Sequence, residues 1–224
     1  MPGGAARWGV EGTAQARREQ YGSGATARGR RTRGLLLAAA RQIFERDGYL
    51  EARVADIVAH AGVSHGTFYT YFDSKNEVMR ALMAEVRNEI ADALTLGGDE
   101  TAEEERLDFP ARLDASNRRF LDVYRKNSAM MALMEQLATV DPEIGSYRTE
   151  GRRLHMERIA KSIRNLQAKG LVDRELDART AGAALAAMVG NFAYYWLAMG
   201  EPFDEELAKA TLSRMWLGAI GYER

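Results

Sequence analysis

Between Ser64 and Lys75 the chain reads SHGTFYTYFDSK. Ser64, Thr67, Tyr69, Thr70 and Tyr71 carry hydroxyls here, His65 an imidazole and Lys75 an ammonium. Such groups donate hydrogen bonds to phosphate oxygens or to base edges, and a threonine methyl can also meet a thymine methyl. By propensity alone the β-branched and aromatic run Thr67 to Phe72 reads as a strand, yet its flanks read as helix. On a helix opened by Ser64 as N-cap, Phe68 and Phe72 lie four residues apart and share a face that can pack on Phe44, Val54 and Ile57. The polar set then turns outward. An ordinary solvent-facing helix carries Lys, Glu or Gln at such positions, because they favour helix more. A face that reads DNA accounts for the departure.

The elements that must position this face are helical. "GLLLAAARQIFERDGY" places Leu36, Ala40, Ile43 and Phe44 on one side, and Gly48 suits a helix stop. A short helix follows from Val54 to His60, then a turn at Ala61-Gly62-Val63 before Ser64. Ser74 and Glu77 have capping-box spacing and open a long helix carrying Val78, Leu82, Val86 and Ile90 or Ala93. Helix, glycine turn and helix within 54–72 outline a helix-turn-helix, an outline that an ordinary helical corner shares.

Further helices are predicted near 107–126, 128–140, 142–169, 178–199 and 204–221, with Asp141-Pro142 and Asp204 as start signals. The expected fold is all-α with about nine helices. "LTLGGDETAEEER" marks the boundary between a 32–95 domain and a 96–224 domain. The uncharged stretch Ala181 to Gly200 has the length of a membrane span, but alanine and glycine dominate it and Asn191 sits in its middle. Its bulky residues Leu185, Met188, Val189, Phe192, Tyr195, Trp196 and Met199 keep one stripe, so it reads as a helix buried between others. No membrane partner is expected.

A net charge of −1 conceals an arginine-rich start: residues 1–31 hold six arginines against two glutamates. With almost nothing to bury, this segment reads as a disordered basic arm, either idle or contacting DNA. The absence of cysteine removes disulfides and thiolate chemistry and fits a reducing cytoplasm. His60, His65 and His155 show no metal-ligand spacing, and there is neither a phosphate-binding glycine loop nor a nucleophile elbow. Neither an enzyme nor a cofactor is expected.

The run "DIVAHAGVSHGTFYTYFDSKNEV" resembles the DNA-binding signature of the tetracycline-repressor (TetR) family of bacterial transcription regulators, through Asp56-Ile57, Ala61-Gly62-Val63-Ser64, Thr67-Phe68-Tyr69, Tyr71-Phe72 and Ser74-Lys75. The resemblance is specific over about 34–95. It implies that 64–71 is the recognition helix, that Tyr69, Tyr71 and Lys75 contact phosphates, and that His65, Gly66, Thr67 and Thr70 reach base edges or their surroundings. Where the family usually has a threonine capping the second helix, Arg53 stands; it either contacts a phosphate itself or leaves the cap weaker. The 32–95 core is also not net basic, unlike most nucleic-acid binders.

The resemblance further implies that the second half forms a two-fold dimer and encloses a small effector. Phe120, Tyr124, Met130, Met131, Met134, Met156, Met188, Phe192, Tyr195 and Trp196 are the apolar set available for that, or are plain core. Arg152, Arg153 and His155 could meet an acidic group on it, or form a solvated face. The last two helices would make the interface, with Ala183 and Ala186 allowing close approach and Leu212, Met215 and Trp216 supplying bulk. The implied function is a repressor that binds a palindromic double-stranded DNA operator as a homodimer and is released by an apolar effector. The alternative is a helical protein-interaction scaffold without sequence-specific DNA binding.

Overall fold

The computed structural model describes residues 26–94 and 108–222, which form nine α-helices and no strand. The helices are α1 (Ala27–Asp47), α2 (Val54–Ala61), α3 (His65–Tyr71), α4 (Lys75–Ala93), α5 (Phe109–Lys126), α6 (Ser128–Leu137), α7 (Pro142–Ala168), α8 (Ala178–Ala193) and α9 (Glu205–Ala219). A π-helical turn, Tyr194–Ala198, extends α8. The chain divides into two compact units at Met83/Ala84. That point lies within α4, upstream of the glycine-rich boundary expected from the sequence, and 95–107 fall outside the described residues.

In the first unit, α1 begins earlier than expected. Thr26 caps it, its Oγ1 accepting from the Gly29 amide at 3.1 Å, so residues 27–31 are helical and not part of a disordered arm. These residues are mostly arginine and add little apolar periodicity to reveal the extension. The remainder of the arm, 1–25, lies outside the described residues. Leu36, Ala40, Ile43 and Phe44 of α1 are buried with Ile57 and Val58 of α2, Phe68 of α3, Phe72, and Val78, Met79 and Leu82 of α4. Gly62 ends α2 at φ +67°, where a side chain would be strained. The Gly62 and Val63 amides donate to the Ala59 and Val58 carbonyls, closing α2 in a Schellman turn that aims the chain into α3.

In the second unit, α5 packs on α9 and α7 on α8, around a core that includes Leu113, Leu121, Ile163, Leu185, Val189, Leu212 and Trp216. Asp108, Asp141, Asp177 and Asp204 cap α5, α7, α8 and α9 through their carboxylates. Gly182 lets α8 approach α7: a Cβ there would sit 2.9 Å from the Met156 carbonyl oxygen. No helix among the described residues is long and apolar enough to cross a membrane. The stripe on α8 holds for Leu185, Val189 and Trp196, which are buried, but Tyr195 and Met199 are exposed. The wider π-turn and the end of the helix at Met199 break the α-periodicity there.

Candidate nucleic-acid interface and ligand cavity

α3 is held from beneath by aromatic packing. Phe68 is fully buried, with Phe72 at 5.9 Å and Tyr69 edge-on at 5.3 Å between ring centroids. Its start is fixed by Ser64, whose Oγ accepts from the Thr67 amide at 3.1 Å and lies 2.9 Å from Thr67 Oγ1. Thr70 Oγ1 donates back to the Gly66 carbonyl at 3.0 Å. This back-bond removes the threonine's competing local conformations and sets its methyl. Ser64, His65, Gly66 and Tyr69 are exposed, and Thr67, Thr70 and Tyr71 are half-buried. Around Gly66 a Cβ would meet only Ser64 Oγ, at 3.8 Å, so packing within the chain does not require glycine there.

Arg53 occupies the N-cap of α2, but a guanidinium has no acceptor and cannot cap an amide. Only the reverse half of a capping box forms, the Arg53 amide donating to Asp56 Oδ2 at 3.3 Å. The exposed Arg53 side chain takes no part in it. At the other end of the motif, Ser74 Oγ accepts from the Glu77 amide, while the Glu77 carboxylate reaches the Asp73 amide and not that of Ser74.

Lys75 departs most from the sequence reading. Its Nζ donates to the carbonyls of Tyr49, Leu50 and Ala52 at 2.6, 3.2 and 2.8 Å and lies 4.4 Å from the centre of the Tyr49 ring. Burial lowers its pKa, with Glu51 opposing. All three ammonium protons are spent on the loop between α1 and α2, so the side chain ties down that loop and is not held out for a phosphate. A lysine at a helix start gives no sign in the sequence of carbonyls 23 to 26 residues away. The first turns of α1 also carry Arg28, Arg30, Arg31 and Arg33 without an acidic residue. Arg33 lies over the Phe72 ring at 5.2 Å, which puts it beside the C-terminal end of α3.

The second unit contains a cavity whose polar wall is Ser116, Asn117, His155 and Arg158, and whose apolar wall is Leu94, Phe120, Ile159, Leu185, Val189 and Trp216. Of the ten residues expected around an effector only Phe120 lines it. Tyr124, Met130 and Trp196 are buried elsewhere, Met131, Met188 and Phe192 pack against the core, Met134 and Met156 are half-buried, and Tyr195 is exposed. Apolar bulk at helical spacing marked the core, whereas the cavity is distinguished by polar groups inside it. His155 lies parallel to Phe120 at 6.2 Å, and burial, reinforced by the nearby Arg158 charge, pulls its pKa down to about 4. Arg152 and Arg153, considered as partners for an acidic ligand, are paired with Glu135 and Glu150.

A polar ladder joins α5 to α9. Asp114 accepts from Ser213 at 2.8 Å, Arg118 bridges Asp114 and Glu206 at 2.7 Å each, and Lys209 donates to Asp122 and Glu205. Burial works against the charge on Lys209, but the hydrogen bonds to Glu205 and Asp122 outweigh it and raise its pKa. Asn117, in the cavity wall, donates to Ser213 of α9 at 3.3 Å. Leu212 and Trp216, expected at a dimer surface, are 4% and 2% exposed and belong to the protomer's own core. Ala183 and Ala186 are half-buried, Ala186 against that core; Met215 is exposed.

Comparison with known proteins agrees with this geometry. Residues 36–82 match the family model described as "Bacterial regulatory proteins, tetR family". The chain is 27% identical over 213 residues to the HTH-type transcriptional activator FasR of Mycolicibacterium smegmatis, covering 92% of this chain and 93% of that protein. It is 25% identical over 189 residues to the HTH-type transcriptional regulator TtgR of Pseudomonas putida, covering 77% and 83%. A crystal structure of a TetR-family regulator from Syntrophomonas wolfei shares the fold with a TM-score of 0.69 at 20% identity, over 86% of this chain and 96% of that one. A helix-turn-helix that matches this model, in a chain similar along most of its length to HTH-type transcriptional regulators, is that of a DNA-binding transcriptional regulator. Residues 36–82 thus carry the DNA-binding unit of the tetR family of bacterial regulatory proteins, in a chain whose fold is that of a TetR-family regulator.

Proposed function

We propose that the protein is a repressor that binds a palindromic operator as a homodimer and leaves it when a small molecule enters the cavity of the second unit. The observation that carries the DNA half is the face of α3. Ser64, His65, Gly66 and Tyr69 are exposed on a seven-residue helix whose hold on the fold is Phe68 and Phe72. In this reading Thr67, Thr70, His65 and the Gly66 backbone approach the base edges, and Tyr69, Tyr71 and Arg53 the phosphates. Arg28 and Arg31 add positive charge at a helix N-terminus, where the macrodipole disfavours it unless an anion is near. The N-terminus of α4, and not the Lys75 side chain, is the anion-facing group at that end.

Two features support the dimer and its release. Tyr195, Met199, Phe203, Leu207 and Met215 are large apolar residues exposed along the end of α8 and the outer side of α9. Ala184 and Ala187 on the exposed side of α8 leave room for a second copy. Of the bulky residues expected at the interface only Met215 is exposed, and Leu207 joins it in place of the buried Leu212 and Trp216. The Asn117–Ser213 bond ties the cavity wall to α9, so a ligand that displaces Asn117 acts on the helix bearing this face. A two-fold dimer would set its recognition helices about 34–36 Å apart, one turn of DNA.

The test is selection of binding sites from a random duplex pool by the purified full-length protein. A palindromic motif is expected. A folded dimer that enriches no motif would overturn the reading and leave the protein-interaction scaffold in its place.

A further inference from the structure

We infer that the cavity among α5, α7, α8 and α9 takes a small carboxylate with a compact apolar body, its oxygens held by Arg158 and Ser116. This rests on the effector reading above and names the chemical class of that effector.

Arg158 carries the argument. Among the described residues, Arg118, Arg125, Arg148, Arg152 and Arg153 all pair with carboxylates. Arg158 has one partner, the Ala91 carbonyl, to which Nη1 donates at 3.1 Å. A guanidinium presents five N–H donors in a fixed fork, so this half-buried arginine of the cavity wall keeps donors for a second acceptor. Facing the same space are two buried polar atoms without partners, Ser116 Oγ and His155 Nδ1. Buried polar atoms are nearly always hydrogen-bonded, and two orphans lining one cavity are both served by a polar group that enters it.

The sign of the missing group follows from the wall. It contains no carboxylate, and its charged member is a cation. Arg158 also contributes to the low pKa of His155, so a proton on the imidazole is disfavoured where an anion would be welcome. Helical spacing supplies the geometry: Ser116 and Phe120 are one turn apart on α5, and His155, Arg158 and Ile159 share a side of α7. An anionic head therefore lies between Ser116 and Arg158 while the body meets Phe120, Ile159, Val189 and Trp216. The free space admits about one water-sized group. A ligand must push the walls apart, which gives its binding a mechanical effect on α9 through Asn117.

The experiment compares acids with their neutral amides on the full-length protein: benzoate against benzamide, and 4-methylpentanoate against 4-methylpentanamide. Binding is followed by calorimetry, and release by operator affinity. Each acid is expected to bind at least ten-fold more tightly than its amide. Arg158→Gln is expected to abolish that preference by weakening the acid far more than the amide, and Ser116→Ala to weaken acid binding several-fold. Should Arg158→Gln fail to fold, Arg158→Lys, which keeps the charge and loses the fork, is expected to lose most of the preference. Equal binding of acid and amide, a preference that survives Arg158 substitution, or no binding of either acid would overturn the inference. If the amides alone bind and release DNA, the effector reading stands without the anionic head. If bound compounds of both kinds leave operator affinity unchanged, the effector reading itself falls.

Discussion

Replacing Lys75 with methionine separates two roles that sequence resemblance and geometry assign to the same side chain. Lys75→Met keeps the length and apolar stem and removes the ammonium that serves the Tyr49, Leu50 and Ala52 carbonyls. Leu50 is exposed, and its carbonyl regains water. Tyr49 and Ala52 are buried, and leaving a buried acceptor unsatisfied costs about 1–3 kcal/mol. The contact over the Tyr49 ring adds up to about 1 kcal/mol. Part of this returns as the lysine's own desolvation is relieved, so the expected loss is about 2–3 kcal/mol, on the scale of a charge-assisted hydrogen bond. Urea unfolding, with amide exchange over 49–79 to localise the effect, measures it. Lys75→Arg is expected to recover little, since a planar fork cannot converge on three carbonyls around one nitrogen. If instead Lys75→Met stays within about 0.5 kcal/mol of the parent while operator binding loses about one phosphate's share of its salt slope, the ammonium is a DNA contact and the argument fails.

Gly182→Ala should destabilise the second unit by about 1–3 kcal/mol, because the new Cβ lands 2.9 and 3.0 Å from backbone atoms of Met156 and Ala160; Gly190→Ala, with open space around it, is the control in thermal unfolding. The stability that depends on neutral His155 is complete above its ordinary pKa of 6.5 and drains away as the pH falls towards its folded value of about 4. At ~1.4 kcal/mol per pKa unit this amounts to at most about 3 kcal/mol, and urea midpoints at pH 7 and 4.5 should differ less in His155→Gln; an equal difference would reject the assignment. Gly66→Ala should hold or raise stability, by up to about 1 kcal/mol, yet weaken operator binding; unchanged affinity would remove the need for close backbone approach. Removing residues 1–25, which stops short of the Thr26 cap, should leave unfolding unchanged while weakening operator binding and flattening its salt dependence, and an unaltered slope would show the arm to be idle.

The first unit was legible because its signals are local. Ser64 four residues before Phe68, Gly62 at the end of α2 and the Phe68/Phe72 pair each fix a cap, a turn or a face within one or two helical turns. What sequence reading missed there depends on distant partners or lacks apolar periodicity. Lys75 reaches back 23 to 26 residues to its carbonyls, and the arginine-rich first turn of α1 offers no apolar stripe to read.

The second unit was legible as helices but not as faces, for a reason visible on α9. Leu212 and Trp216 are four residues apart and point into the core, whereas Leu207 and Met215 are eight apart and share the outer side. Both pairs have helical spacing and similar bulk, so the pattern alone cannot say which faces inward. The polar ladder decides it: Lys209 and Ser213 are tied to Asp122 and Asp114 of α5, and Leu212 and Trp216 are carried inward with them. Single exposed apolar residues need no explanation, but Tyr195, Met199, Phe203, Leu207 and Met215 in one stretch do. Since α9 bears this outer face and is also tied to the cavity wall through Asn117, occupancy of the cavity and the state of the outer face are coupled in the proposed mechanism. Such coupling is reciprocal and is typically about 1–3 kcal/mol, so operator DNA must weaken effector binding by the same factor by which effector weakens operator binding. Effector affinity measured with and without operator tests that equality, and an effector that releases DNA while binding equally well to both forms would break the proposed link through α9.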